Sequence, residues 1–261
     1  MALPVIRTPF TDLLGIEHPV VCAGMGGGAT NGELAGRVSD AGGLGVIGAS
    51  FVPPENVEKM VARVREITAK PFGINLLLFA TEERLDDVLR AEPAVLSTAW
   101  PRDDQDLGAI FAKALDRGIR VMHMVATVAD ALRAAEAGAN VIVAQGNEGG
   151  GHVGEIGTTV VVRQVVKAVA PIPVLAAGGL ADGAGLAAAL ALGADGVLLG
   201  TRFLATEEAP VDGIQGSSGR QRGRRHHRDD CLRHAQRSRL ARRLGAPATN
   251  AFHRGMVGPG A

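Results

Sequence analysis

The chain has 261 residues, enough for one large domain, and its 27 basic and 27 acidic residues leave a formal net charge of zero. That balance argues against a general nucleic-acid binder, while a hydrophobic content of 46% is ample for a packed core. No apolar run approaches the ~20 residues of a membrane-spanning helix, and the N-terminus lacks the basic and apolar segments of a signal peptide, so we expect a cytoplasmic protein.

Short apolar runs recur along the first four fifths of the chain, and each has the length of a buried parallel strand. The predicted strands are 19–23, 45–49, 72–77, 94–99, 120–125, 141–143, 173–177 and 196–199. Helical spacing, capping residues and closing glycines predict helices between them, at 31–41, 53–70, 81–90, 107–117, 128–137, 158–170 and 182–192. About eight βα units predict an α/β fold, a TIM (β/α)8 barrel. A doubly wound open sheet is the alternative, because periodicity cannot show closure.

The character of the sequence changes near residue 211, where the βα pattern stops and arginines and histidines crowd residues 220–243. Such a segment is typical of a basic tail for an acidic partner, of a solvated disordered region, or of a stretch translated from another reading frame. We predict a barrel over 1–210 whose C-terminal part is incomplete or replaced. Residues 211–261 are predicted to form an atypical Arg-rich tail, disordered or out of frame.

The stretch 144–154 is the candidate functional loop. It follows the sixth predicted strand and brings Gln145 and His152 together with several glycines. Glycines let the backbone approach a ligand closely, and an imidazole can accept a proton near neutral pH. His152 is therefore the candidate catalytic residue, with an ordinary flexible turn as the alternative.

Three further strand ends carry candidate binding groups. Glycines at 178–179 and the pair at 200–201 follow the seventh and eighth strands, where barrel enzymes often hold a phosphate. Asn75 ends the third strand, and its amide, like that of Gln145, can address a heterocycle or satisfy the neighbouring backbone. The barrel region has no metal-ligand spacing and the two cysteines lie far apart, so we predict no metal site.

With these motifs located, the chain resembles the nitronate monooxygenase family, formerly called 2-nitropropane dioxygenases. The resemblance runs from about residue 8 to residue 208. It rests on motifs at 14–20, 24–25, 71–76, 144–154, 176–179 and 199–203, in that order. The family is a TIM barrel that uses FMN to oxidise alkyl nitronates with O₂ to a carbonyl compound and nitrite. The resemblance thus implies FMN, a small-molecule nitronate and O₂ as partners.

The resemblance also implies residue roles. His152 would act as base on a neutral nitroalkane or as a polar contact to the nitronate. Residues at the flavin ring or its loop would be Ala23, Gly24, Met25, Asn75, Gln145, Gly150 and Gly151. Residues holding the phosphate would be Gly178, Gly179, Gly200 and Thr201. Two departures from the family are Gly149, where alanine is usual, and the Arg-rich ending in place of a further helical region.

Three alternatives remain open at this point. The FMN-dependent enoyl-acyl-carrier-protein reductases share the glycine-rich loop and the phosphate motifs, and would use NAD(P)H with an enoyl thioester. A catalytically crippled flavoprotein would bind FMN and turn over neither substrate. A nucleic-acid binder acting through the tail would show strongly salt-dependent binding.

Overall fold

The computed structural model describes residues 6–210 of the chain. Predictions about 211–261, including the Arg-rich tail, therefore concern residues outside the described range. Eight parallel strands close into a barrel in which each strand pairs with the next and the last with the first. The strands are β1 Val20–Cys22, β2 Leu44–Gly48, β3 Phe72–Leu77, β4 Val95–Ala99, β5 Arg120–Val125, β6 Val141–Gln145, β7 Val174–Ala177 and β8 Gly196–Leu199. The predicted TIM barrel is confirmed, and the open sheet is wrong.

Helices follow the strands on the outside, and one precedes the first strand. They are α1 Pro9–Leu14, α2 Gly32–Asp40, α3 Pro54–Ile67, α4 Leu78–Thr81, α5 Leu85–Arg90, α6 Leu107–Leu115, α7 Val128–Glu136, α8 Thr158–Val169 and α9 Gly183–Ala191. Single 3₁₀ turns span Glu82–Arg84 and Phe203–Ala205.

Side-chain caps fix where several helices begin. The side-chain oxygens of Asn31, Asp106, Thr127 and Asp182 each accept a hydrogen bond from a backbone N–H in the first turn of the helix that follows. Each such cap is worth about 1 kcal/mol. These helices therefore start within a residue of the predicted positions, because the starting signal is local.

Two stretches differ from the prediction. The helix α1 was not predicted, and the single helix predicted over 81–90 is wrong. There the chain forms α4, a 3₁₀ turn and α5. The reason is that α4 starts directly after β3, so that Thr81 is its last residue and donates its hydroxyl to the Leu77 carbonyl at 2.9 Å. Thr81 is buried, and its side chain makes no cap hydrogen bond to the turn that follows.

Strand alternation divides the core into two layers. The outer layer packs strands against helices and includes Ile142 and Ala144 of β6 with Val161 and Val165 of α8. The inner layer fills the barrel and consists of strand residues together with α1; it contains Val21, Leu44, Val46, Val95, Met122, Val141, Val143, Leu175, Ala177 and Leu198. A side chain in phase with the inner layer therefore points into the barrel.

The helix α1 packs against the amino end of the barrel interior. Phe10 is fully buried in the inner layer, and the hydroxyl of Thr8 donates to the carbonyl of Asp195, just before β8. The amino ends of the strands are thereby covered. The carboxyl ends, where barrel enzymes carry their active sites, are left to the loops described next.

Candidate active site at the carboxyl ends of the strands

Two amide side chains enter the barrel at its carboxyl end. Gln145 is in phase with Val141 and Val143, and Asn75 is in the opposite phase to the outward Ile74. Asn75 is buried and its Nδ2 donates to Oγ of Ser97 at 3.1 Å.

The side-chain amide of Gln145 is hydrogen-bonded at its nitrogen but not at its oxygen within the described residues. Its Nε2 donates to the Gly150 carbonyl at 3.1 Å, while its buried Oε1 has no hydrogen-bond partner among the described residues. A buried acceptor without a donor is costly, and a ligand N–H that reached it would remove that cost. Gln145 therefore has an acceptor to offer a heterocycle.

The loop after β1 packs directly on the Asn75 side of the mouth. A Cβ at Gly24 would lie 2.3 Å from Cβ of Asn75, so only glycine permits this approach. The fully buried Thr30 fastens the loop: its hydroxyl donates to the Ala23 carbonyl at 2.7 Å and accepts from the Met25 N–H at 3.1 Å. Ala23, Gly24 and Met25 are therefore held in one conformation.

The glycine-rich loop after β6 lies against the loops after β7 and β8. A Cβ at Gly178 would lie 3.0 Å from the N of Gly149, and one at Gly150 would lie 3.9 Å from Oγ1 of Thr201. A Cβ at Gly200 would in turn lie 3.4 Å from Sδ of Met25. The loops after β1, β6, β7 and β8 thus meet around one end of the barrel. Gly151 has open space around it.

Glu148 ties the β6 loop to the start of α8. Its Oε2 accepts from the Thr158 N–H at 2.9 Å and from the Thr158 hydroxyl at 2.7 Å. The same hydroxyl lies 3.1 Å from the Gly178 carbonyl, which connects the loop after β7 to this network. An acidic side chain at a helix N-terminus is favourable, so the role of Glu148 includes fixing the loop.

The loops after β7 and β8 present unpaired backbone donors. Within residues 6–210, the N–H groups of Gly179 and Thr201 donate to no protein acceptor. Gly178 and Gly179 have φ values of +105° and +71°, a conformation that favours glycine. Backbone N–H groups without a protein acceptor at the ends of these strands are available to an anion such as a phosphate.

His152 is exposed and lies beside two aromatic rings. Its ring centroid is 5.4 Å from that of Phe79, at the beginning of α4, and 5.7 Å from that of Trp100, which directly follows β4. The sequence interpretation did not include either aromatic residue. A usable signal was present, because Trp100 is the chain's single tryptophan and stands immediately after a predicted strand.

Two other titratable side chains, those of His123 and Cys22, are buried. His123 points outward against Phe111 of α6, and burial, with a smaller effect of Arg133, lowers its pKa to about 4. Burial raises the pKa of the Cys22 thiol to about 12, so it is not a nucleophile at neutral pH. Both are structural residues.

The arrangement fits a flat heterocycle that carries a phosphate. The orphaned Oε1 of Gln145, the close approach at Gly24 and the unpaired N–H groups of Gly179 and Thr201 suit the two ends of such a molecule. Among residues 6–210, no group of three or more His, Cys, Asp or Glu is placed to hold a metal ion. Over the same residues, no helix is both long and apolar enough to cross a membrane.

Comparison with known proteins identifies relatives along most of this barrel. The family model described as nitronate monooxygenase matches residues 7–92 and 79–223. A protein from Mycobacterium tuberculosis (strain ATCC 25618 / H37Rv), named (3aS,4S,5R,7aS)-5-hydroxy-7a-methyl-1-oxo-octahydro-1H-indene-4-carboxyl-CoA dehydrogenase, is 40% identical over 210 residues, which are 79% of this chain and 58% of that protein. A probable nitronate monooxygenase from Staphylococcus saprophyticus is 32% identical and covers 78% of this chain and 70% of its own length. The chain thus spans under two thirds of the first of these relatives.

Two solved structures also superpose on most of this chain. FabK from Thermotoga maritima superposes with a TM-score of 0.72 and 40% identity, over 79% of this chain and 65% of that chain. Nitroalkane oxidase from Streptomyces ansochromogenes superposes with a TM-score of 0.66 and 30% identity, over 78% of this chain and 70% of that chain.

Proposed function

The chain belongs to the nitronate monooxygenase family, and we propose that it is an FMN-dependent enzyme that oxidises alkyl nitronates with O₂ to a carbonyl compound and nitrite. The observation that carries the proposal is the convergence of His152 and the glycine-rich loops on one end of a closed barrel.

Members of this family depend on a flavin, and we propose FMN because the loops after β7 and β8 offer donors suited to one phosphate. The ring would lie against Ala23, Gly24, Met25, Asn75, Gln145, Gly150 and Gly151. The phosphate would be held by Gly178, Gly179, Gly200 and Thr201. When bound, the flavin supplies electron transfer between the substrate and O₂.

His152 is proposed as the residue that handles the substrate proton. On a neutral nitroalkane its imidazole takes the proton from the carbon that bears the nitro group, which leaves the nitronate. On a substrate that is already a nitronate it offers a polar contact to the anion. A base positioned in this way contributes on the order of 10²- to 10⁴-fold to the rate.

The test is a spectrum of the purified full chain followed by assays in the same cuvette. We expect the absorption bands of bound oxidised flavin, and nitrite on addition of an alkyl nitronate under air. A colourless protein that FMN cannot reconstitute would overturn the cofactor assignment. Bound FMN without turnover of either nitronate or enoyl thioester would indicate a catalytically crippled flavoprotein.

An acyl-thioester oxidoreductase, such as an FMN-dependent enoyl-acyl-carrier-protein reductase, is a second candidate. The observation that favours a thioester is the 40% identity to a protein named as a carboxyl-CoA dehydrogenase, against 32% for a probable nitronate monooxygenase. Oxidation of NAD(P)H that depends on an enoyl thioester, with no nitrite from nitronate, would select this candidate. The two readouts are independent, so one preparation distinguishes them.

A further inference from the structure

On the N-terminal side of His152, its loop carries three residues without side chains. Gly149, Gly150 and Gly151 precede it, and Gly151 has a φ of +73° with open space around its Cβ position. Glycine adopts the positive φ at 151 without steric cost. The ring contacts to the His152 imidazole come from two other loops.

The loop that carries His152 extends from β6 toward the ends of β3 and β4. It starts at β6, and a Cβ at Gly154 would lie 2.6 Å from Cβ of Ala126, the residue directly after β5. Beyond β5, the His152 ring meets Trp100 after β4 and Phe79 after β3. The imidazole thus lies against residues that follow β3 and β4, beyond the neighbouring strand β5.

Hydrogen bonds hold the backbone on both sides of the two aromatic rings. The N–H of Phe79 donates to the Trp100 carbonyl at 3.0 Å, which joins the loops after β3 and β4. The Phe79 carbonyl accepts from Arg102 at 3.1 Å, and the neighbouring Leu78 carbonyl accepts from the buried Gln105 at 2.9 Å. The backbone that carries the two rings is therefore held by hydrogen bonds.

The backbone at Trp100 is strained. Its φ is +56°, a conformation that a bulky residue rarely adopts and that glycine would adopt without cost. Strain of this kind concentrates at functional sites, which agrees with a role for this side chain at the mouth of the barrel.

From these contacts we propose that Trp100, supported by Phe79, is a positioning residue that orients the imidazole of His152 over the mouth of the barrel. The tilts of 46° and 56° between the rings are among the arrangements that aromatic groups prefer. The effect on catalysis rests on the proposed function of His152, whereas the ring contact itself does not.

The experiment compares Trp100→Ala and Trp100→Phe with the unchanged full chain by NMR of the histidine Hε1–Cε1 signals. The chain has seven histidines, and the signal that disappears in His152→Asn assigns the relevant one. We expect Trp100→Ala to move the His152 signal, because a neighbouring ring current is lost, and Trp100→Phe to restore most of the shift. An unmoved His152 signal in Trp100→Ala would overturn the proposal, whatever substrate the enzyme uses.

Turnover gives the second readout on the flavin-loaded enzyme. We expect Trp100→Ala to lower kcat for a neutral nitroalkane by about 10- to 100-fold with a smaller change in KM, and Trp100→Phe to recover most of the loss. Leu132→Ala, at a 43% exposed apolar position on α7, is the matched control and should change neither kcat nor the His152 signal. A loss confined to KM, or an equal loss in Trp100→Phe, would contradict positioning by a ring.

If no variant and no parent turns over nitroalkane, the NMR comparison still decides the proposal. A moved His152 signal together with an inactive parent would place the failure in the proposed function and leave the aromatic contact intact.

Discussion

Two histidines of this chain differ in burial, one being exposed and the other buried. His152 lies exposed among aromatic rings at the barrel mouth, while His123 is 2% exposed and hydrogen-bonded through Nδ1 to the hydroxyl of Thr98 at 2.7 Å. His123 is buried because its phase on β5 points it to the helix layer, whereas His152 lies in the loop after β6. Residue type alone therefore does not assign a role.

The first prediction at this scale concerns His152. We expect His152→Asn to retain FMN and to lose most activity on neutral nitroalkanes, because the change removes a proton acceptor without altering the phosphate loops. The ratio of the 450-nm region absorbance to protein absorbance monitors FMN, and nitrite formation monitors activity. Unchanged turnover of a neutral nitroalkane would remove His152 from its assigned role.

The second prediction concerns His123 and acid stability. Its folded pKa of about 4 lies below the ordinary 6.5, so the unfolded chain takes up this proton first as pH falls. The stability that depends on neutral His123 is complete above pH 6.5 and is lost as pH drops toward 4, by roughly 3 kcal/mol at most. Urea unfolding at pH 7 and pH 4.5 measures the loss.

His123→Asn is expected to be less stable at pH 7 and to lack this part of the pH dependence. Leu132→Ala, at an exposed apolar site on α7, is the control and should keep the pH dependence of the parent. If His123→Asn and the parent lose stability in parallel between pH 7 and pH 4.5, another group is responsible.

At the scale of elements, the loops after the strands differ in what holds them. The β1 loop is fastened by the hydroxyl of Thr30, the β6 loop by Glu148 on α8, and the β3 and β4 loops by the bond between Phe79 and Trp100. The β1 fastening lies within the loop itself, the β6 fastening reaches Thr158 at the start of α8, and the third joins the β3 and β4 loops to each other. Their conformations are therefore set before any ligand binds.

The element with the clearest energetic prediction is α1. We expect Phe10→Ala to lower the free energy of unfolding by about 3–5 kcal/mol, because a fully buried phenyl ring is removed from the amino end of the inner core. Denaturant unfolding measures this change. Ile6→Ala, at a 45% exposed position, is the control and should change stability by less than about 1 kcal/mol. A loss below 1 kcal/mol in Phe10→Ala would show that α1 does not contribute to the core.

For the whole molecule, the site joins loops from both halves of the barrel, so a ligand there stabilises the closed fold as a unit. FMN at about 100 times its Kd should add about 2.7 kcal/mol to the free energy of unfolding, and the melting temperature should rise accordingly. Riboflavin, which lacks the phosphate, should give a clearly smaller rise at the same concentration. Equal shifts from both ligands would contradict the phosphate role of the loops after β7 and β8.

Local signals in the sequence determined much of the fold. Apolar runs of strand length predicted all eight strands, with β3, β5 and β8 at their observed bounds, and the predicted starts of α2 and α9 lie within one residue of the observed ones. Local signals failed at 81–90, because the direct continuation of β3 into α4 outweighed a capping pattern. They also missed α1, whose six residues are too few to show a helical period.

The site was determined by the sequence only as a set of positions at strand ends. Motifs located Asn75, Gln145, His152 and the terminal glycines, since carboxyl strand ends in a barrel share one face. The tertiary structure alone decided what those residues touch. Barrel closure brings loops that are distant in sequence into contact. It accounts for the packing of Gly24 on Asn75, the unpartnered Oε1 of Gln145 and the aromatic rings beside His152.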